Sequence, residues 1–146
     1  MSNQVVESLN LFLSDLAVFY RKLQNYHWNV KGKDFFVVHE KLEEYYDCIN
    51  KQIDEIGEHI LILGGEPLGT MKDYLANTKI AEAKNERIDS CNIYINIEAD
   101  YRILQECARK IKEEAEQEKD YATSSLMDDY LKDYGKILWM LSQHKS

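Results

Sequence analysis

Apolar residues recur along this chain at alternating steps of four and three, the period of an amphipathic helix, in four long blocks. In residues 3–30 the repeating positions are Val5, Leu9, Phe12, Leu16, Phe19, Leu23 and Tyr26, and a second stripe through Val6, Leu13 and Tyr20 leads to His27. That predicts a helix apolar over a wide arc and packed on several neighbours. Lys31-Gly32-Lys33-Asp34 reads as a turn, with Asp34 placed to cap the next helix. Residues 34–63 form the second block, with Phe35 or Phe36, His39, Leu42, Tyr46, Ile49, Ile53, Ile56, Ile60 and Leu63 inward, and Gly64-Gly65 and Pro67 stop it. Gly57 inside that block costs up to about 1 kcal/mol relative to Ala, and close approach of another helix would explain it. Residues 64–84 are too long for a plain loop and hold a short helix at 71–76. The third long helix, 85–117, carries Ile93, Ile97, Tyr101, Leu104, Ala108, Ile111 and Ala115 inward, and the charged stretch 112–120 should be solvated or line an assembly surface. The fourth, 121–143, does the same with Leu126, Tyr130, Tyr134, Ile137, Leu138 and Leu141, and no segment reads as a strand.

The expected fold is therefore all-α: a single domain over 1–146 built as a four-helix bundle, with a short first connection and a short extra helix in the long second one. The ferritin-like topology has that plan.

Candidate chemistry concentrates between residues 27 and 58. His39 and Glu43 are four apart, as are Asp54 and Glu58, so each pair projects from one helix face. The pairs begin fifteen residues apart, roughly 22 Å on a straight helix, and no single metal can touch both within one chain. They converge only if two copies of this helix cross antiparallel about a two-fold axis near Cys48 and Ile49. His27 lies about as far before the turn as His39 lies after it, so a helical hairpin brings the imidazoles level. The proposed ligands are His27, His39 and Glu43 from one chain and Asp54 and Glu58 from the other. Mixed imidazole and carboxylate donors suit iron, zinc or manganese better than calcium. Taken singly, each of these residues reads more simply as core packing or a solvated helix face; the joint spacing carries the metal reading. His59 points away from Glu58 and reads as structural or exposed.

A net charge of −8 excludes wholesale attraction to nucleic acid or anionic lipid. No apolar run spans a bilayer and the first residues do not read as a secretory signal, so a cytoplasmic location is expected. Cys48, Cys91 and Cys107 fall in helical patterns and read as buried free thiols.

The words Tyr26-His27-Trp28-Asn29-Val30-Lys31-Gly32, Phe35-Phe36, His39-Glu40-Lys41-Leu42, Asp54-Glu55 and Leu63-Gly64-Gly65-Glu66-Pro67-Leu68-Gly69-Thr70 closely resemble the Dps proteins, or mini-ferritins, and Leu138-Trp139-Met140-Leu141 resembles the family's last helix. The resemblance implies a hollow homododecamer in which a ferroxidase centre is shared between two-fold-related subunits. It implies oxidation of ferrous iron, typically by hydrogen peroxide, and storage of the ferric product, which limits oxidative damage. The family's site falls on His27, His39, Asp54 and Glu58; its further carboxylate, usually Asp, falls on Glu43, and Trp28 matches a tryptophan beside the centre. Gly57 and His59 stand where Ala and Arg are common. The lysine-rich N-terminal extension of DNA-binding members is absent, with no Lys or Arg before Arg21, so DNA binding is not expected. Glu118 and Asp120 are candidates for an acidic iron entry pore. Two alternatives follow from the same residues: a DNA-binding nucleoid protein, or a metal-binding cage without ferroxidase activity, which the longer Glu43 keeps open. A within-chain di-iron centre needs Glu-x-x-His motifs, and the chain has none.

Overall fold

The computed structural model describes residues 3–145. Four long helices, α1 (Asn3–Asn29), α2 (Phe35–Ile62), α4 (Ser90–Gln117) and α5 (Tyr121–Ser142), form the bundle, and a short helix α3 (Met71–Asn77) lies in the connection after α2. The hairpins α1–α2 and α4–α5 pack together mainly through α1 against α4. Every expected inward residue of α1's first stripe and of α4 is buried. In α5 the burial falls on Met127, Tyr130, Tyr134, Leu138 and Leu141, while Leu126 and Ile137 pack at the margin.

The end of α2 explains its glycines. Gly65 N–H donates to the Ile60 carbonyl at 2.9 Å and Gly64 N–H to that of Leu61 at 3.0 Å, closing a Schellman motif on a left-handed Gly64 with φ 85°. A Cβ on Gly65 would stand 2.7 Å from a Val6 methyl, so the chain leaves α2 pressed against α1.

Polar residues on the otherwise apolar α1 hold the long connection in place. The Asn10 amide accepts from Leu68 N–H at 2.9 Å and donates to the Glu66 carbonyl at 3.1 Å. Asp15, 1% exposed, accepts from the Thr78 hydroxyl and from Lys79 N–H, both at 2.7 Å. Asn25 donates to Asn85 at 3.2 Å. We expect Asp15→Ala to cost about 2 kcal/mol, because it strands the Lys79 amide and the Thr78 hydroxyl while removing a well-satisfied carboxylate. Urea titration measures the loss, and hydrogen exchange should locate the loosening at residues 78–80.

Several expectations need correction. Two strands do occur, Val30–Lys31 (β1) and Ile88–Asp89 (β2), paired in parallel. Two residues are too few to carry a period, and the bridge takes up the residues expected to open α4, which starts at Ser90 instead. Asp34 precedes α2 without a side-chain cap bond; its carboxylate accepts from the Ser90 hydroxyl at 2.6 Å. The cysteines are not buried in the isolated chain: Cys48 and Cys91 are exposed and Cys107 is half-buried. Among the described residues of its own chain, no atom lies within 4 Å of where a Cβ on Gly57 would stand. Glu114 departs from the solvated stretch, being buried and accepting from Gln4 at 2.9 Å.

Candidate metal centre

His27 sits in the last turn of α1 and His39 just after the first turn of α2, and the tight turn between the helices stacks their rings with centroids 3.7 Å apart and planes 12° from parallel. The hydrogen bonds are reciprocal. His27 Nδ1 donates to the His39 carbonyl and His39 Nδ1 to the His27 carbonyl, each at 2.7 Å. A carbonyl only accepts, so each Nδ1 carries a proton, which leaves Nε2 as the nitrogen through which a neutral ring would bind a metal. The His27 carbonyl belongs to the last turn of α1, where carbonyls lack helical partners, so His39 also completes that helix end.

Flanking rings clamp the pair. Phe35 stacks on His39 at 4.8 Å and 19°, and Tyr46 presents its edge to His27 at 5.3 Å. Tyr20 in turn stands edge-on to Tyr46 at 5.7 Å. Two neutral imidazoles tolerate such stacking, whereas two protonated ones would repel. A Glu43 carboxylate oxygen lies 3.8 Å from His27 Nε2, which puts a carboxylate next to the pair on the His27 side.

Asp54 and Glu58 lie farther along α2, exposed beside a hollow between α2 and α5. Because α2 is one unbroken helix, His39 and Glu58 are separated by roughly 28 Å along its axis. Thus the structure joins His27, His39 and Glu43 and leaves Asp54 and Glu58 apart from them. Among the described residues of the single chain, no group of three His, Cys, Asp or Glu side chains is placed to hold a metal ion.

The pore candidates differ. Glu118 is exposed at the α4–α5 turn. Asp120 caps α5, its two oxygens accepting from Thr123 N–H at 3.2 Å and from the Thr123 hydroxyl at 2.6 Å. With that hydroxyl proton committed, His59 Nε2, 2.7 Å away, must be the donor to Thr123. His59 is therefore a buried joint between α2 and the α4–α5 turn. Phe35 and Tyr46 were legible only as core residues, since a period marks burial and not which ring a side chain touches.

Known proteins share this fold. Residues 6–145 match the family model described as a ferritin-like domain. DNA protection during starvation protein 2 of Bacillus anthracis is 40% identical over 141 residues, covering 97% of this chain and 96% of that protein. The DNA protection during starvation protein of Helicobacter pylori strain J99 is 36% identical over 138 residues, covering 94% and 96%. The crystal structure of the Vibrio cholerae O1 protein, described as a member of a broad superfamily of ferritin-like diiron-carboxylate proteins, superposes with a TM-score of 0.96 at 35% identity, covering 99% of this chain and 90% of that one.

Proposed function

The chain belongs to the Dps family of ferritin-like proteins, and from that premise we propose that it oxidises ferrous iron, with hydrogen peroxide as oxidant, at centres shared between two-fold-related subunits. The ferric product is stored inside a hollow dodecamer, which drains both reagents of radical chemistry. The observation that carries this reading is the His27–His39 pair, locked by reciprocal backbone hydrogen bonds through Nδ1, with His27 Nε2 3.8 Å from a Glu43 carboxylate oxygen.

A second copy of the chain supplies what the single chain lacks. In an antiparallel α2–α2 register that sets residue 39 against 58 and 43 against 54, residue 36 meets 61 and residue 35 meets 62. Those outer positions hold Phe36 and Ile62, 81% and 77% exposed, together with Leu61, so one register pairs the ligand sets and covers apolar ends that the single chain leaves bare. Gly57, without a close neighbour in its own chain, lies on α2 where the partner helix would approach.

His27, His39 and Glu43 would hold ferrous iron from one subunit while Asp54 and Glu58 of the partner subunit complete the set. Anionic oxygen ligands favour the ferric state, so bound iron is easier to oxidise than iron in water. The aromatic clamp of Phe35 and Tyr46 keeps the imidazoles from swinging out between turnovers. DNA is not a partner in this reading, in keeping with the net charge of −8. No helix among the described residues is long and apolar enough to cross a membrane, and we place the protein in the cytoplasm.

Anaerobic loading with ferrous iron, followed by peroxide and size exclusion, tests the proposal. Ferric iron should co-elute with an assembly of about twelve subunits. A cage that stays empty and oxidises iron no faster than buffer would sink it, and retention of that cage on DNA at physiological salt would favour the nucleoid reading instead.

A further inference from the structure

We propose that Tyr130 is a redox-active residue that gives one electron to oxidants formed in the hollow between α2 and α5 and passes its phenolic proton to Glu55. The inference rests on the proposed iron and peroxide chemistry for the source of the oxidant, and on this chain's own geometry for the rest.

The hollow is lined by Asp54, Glu55 and Glu58 of α2 and by Asp129 and Asp133 of α5 against a single cation among the described residues, Lys51, so ferrous ions concentrate there by charge. Tyr130 stands in its wall, with the ring packed against Phe12 at 5.7 Å and the hydroxyl donating to a Glu55 carboxylate oxygen. A phenol loses its electron easily only if its proton leaves with it, and a carboxylate can take that proton. The neighbouring rings lack this outlet. Tyr134, stacked 6.1 Å away, donates to the Gln52 amide oxygen at 2.6 Å, which is a far weaker base. Tyr101, next in line at 5.8 Å, is fully buried and its hydroxyl has no hydrogen-bond partner among the described residues. An oxidising equivalent that reaches this stack therefore settles on Tyr130. Burial, with Glu55 close by, also holds its phenol above the ordinary ionisation range, so Tyr130 rests as a neutral phenol.

The step balances. A hydroxyl radical, formed when ferrous iron reduces peroxide by one electron, takes an electron from Tyr130 and becomes hydroxide. The phenol O–H bond breaks and an O–H bond forms on Glu55, leaving a neutral phenoxyl radical and a neutral carboxylic acid. A second ferrous ion then reduces the phenoxyl and becomes ferric, while the proton returns from Glu55. The net change converts one hydroxyl radical and one ferrous ion into hydroxide and ferric ion.

The test is freeze-quench electron paramagnetic resonance on the assembled protein, mixed with ferrous iron and limiting peroxide, alongside Tyr130→Phe, Tyr134→Phe and Glu55→Gln. A tyrosyl signal should appear in the unmodified protein, persist in Tyr134→Phe, and be lost in Tyr130→Phe and Glu55→Gln. A signal unchanged in Tyr130→Phe, or no tyrosyl signal at all, overturns the proposal. A parallel arm oxidises the iron-free protein with azidyl radicals made by pulse radiolysis and follows the long-lived phenoxyl absorbance. If iron is not oxidised in the first arm, the ferroxidase reading fails by itself, and Tyr130 is then judged on this second arm. There, loss of the phenoxyl in Tyr130→Phe sustains the assignment and an unchanged yield rejects it.

Discussion

Chains carrying His39→Ala and chains carrying Glu58→Ala, each inactive alone, should regain ferroxidase activity when unfolded together and co-assembled. Each single change removes a ligand from both sites of a symmetric dimer, and losing a ligand should cut the rate by at least roughly tenfold. In a mixed dimer the losses fall unequally. The site built from the His39→Ala chain's imidazole side and the Glu58→Ala chain's carboxylate side loses both ligands. The other takes His27, His39 and Glu43 from the Glu58→Ala chain and Asp54 and Glu58 from the His39→Ala chain, and is whole. Random one-to-one mixing makes about half the dimers mixed, each with one good site of two, so activity should return to about a quarter of the unmodified level. Stopped-flow ferrous oxidation reads the outcome directly. A site confined to one chain could never be restored by mixing, so failure to recover in properly assembled mixtures would remove the two-fold reading. The roughly 28 Å along α2 between His39 and Glu58 is what makes the outcome decisive.

The helices were legible because each buries a continuous stripe, and Val5 to Tyr26 and Ile93 to Ala115 announce themselves by period alone. The pairing of His27 with His39 was legible for a related reason, since a tight turn between two helices makes distance from the turn a measure of level. What the pattern could not carry is chemistry set by single partners. Nothing in the spacing says that each imidazole donates to the other's carbonyl, nor that Asp15 faces inward to hold residues 78 and 79. Asp34 looks like a cap and bonds Ser90, because a residue far off in sequence reached it first. The helical pattern around Cys48 and Cys91 reads as burial, yet in the isolated chain they lie on open faces. His59 runs the other way: the spacing reads as structural or exposed, and it is buried, with Thr123 as its ring's partner. In each case the burial period marks a face, while the tertiary neighbour decides what a polar group on that face does.

Alkaline pH should unfold this protein over a narrow range, because the bundle buries phenols in the neutral form. Burial comes first among the causes for Tyr45, Tyr101, Tyr130 and Tyr134 alike; it pushes Tyr45 up to about 12 and holds the others above the ordinary phenol range, with Glu55 adding to the effect on Tyr130. Burial and then the Asp15 carboxylate likewise push the Cys107 thiol up to about 12. The sign follows from proton counts. Below the ordinary value of each group, near 9 for the thiol and near 10 for the phenols, folded and unfolded chains bind the same protons and the full stability is present. Above it the unfolded chain releases them and the folded chain does not, so stability falls as pH rises toward the folded values. Each such group costs about 1.4 kcal/mol per pH unit, and four phenols together roughly 5 kcal/mol per unit. Against a total of about 5–15 kcal/mol for a domain, that exhausts the fold within one to three units above pH 10. Urea midpoints at pH 8, 9.5, 10.5 and 11 measure the slope, and Tyr134→Phe should flatten it by the share of one phenol. A midpoint that holds steady from pH 8 to 11 would mean that the buried tyrosines ionise as freely in the folded chain as in the unfolded one, which a hydroxyl bound to the Gln52 amide deep in the core does not allow.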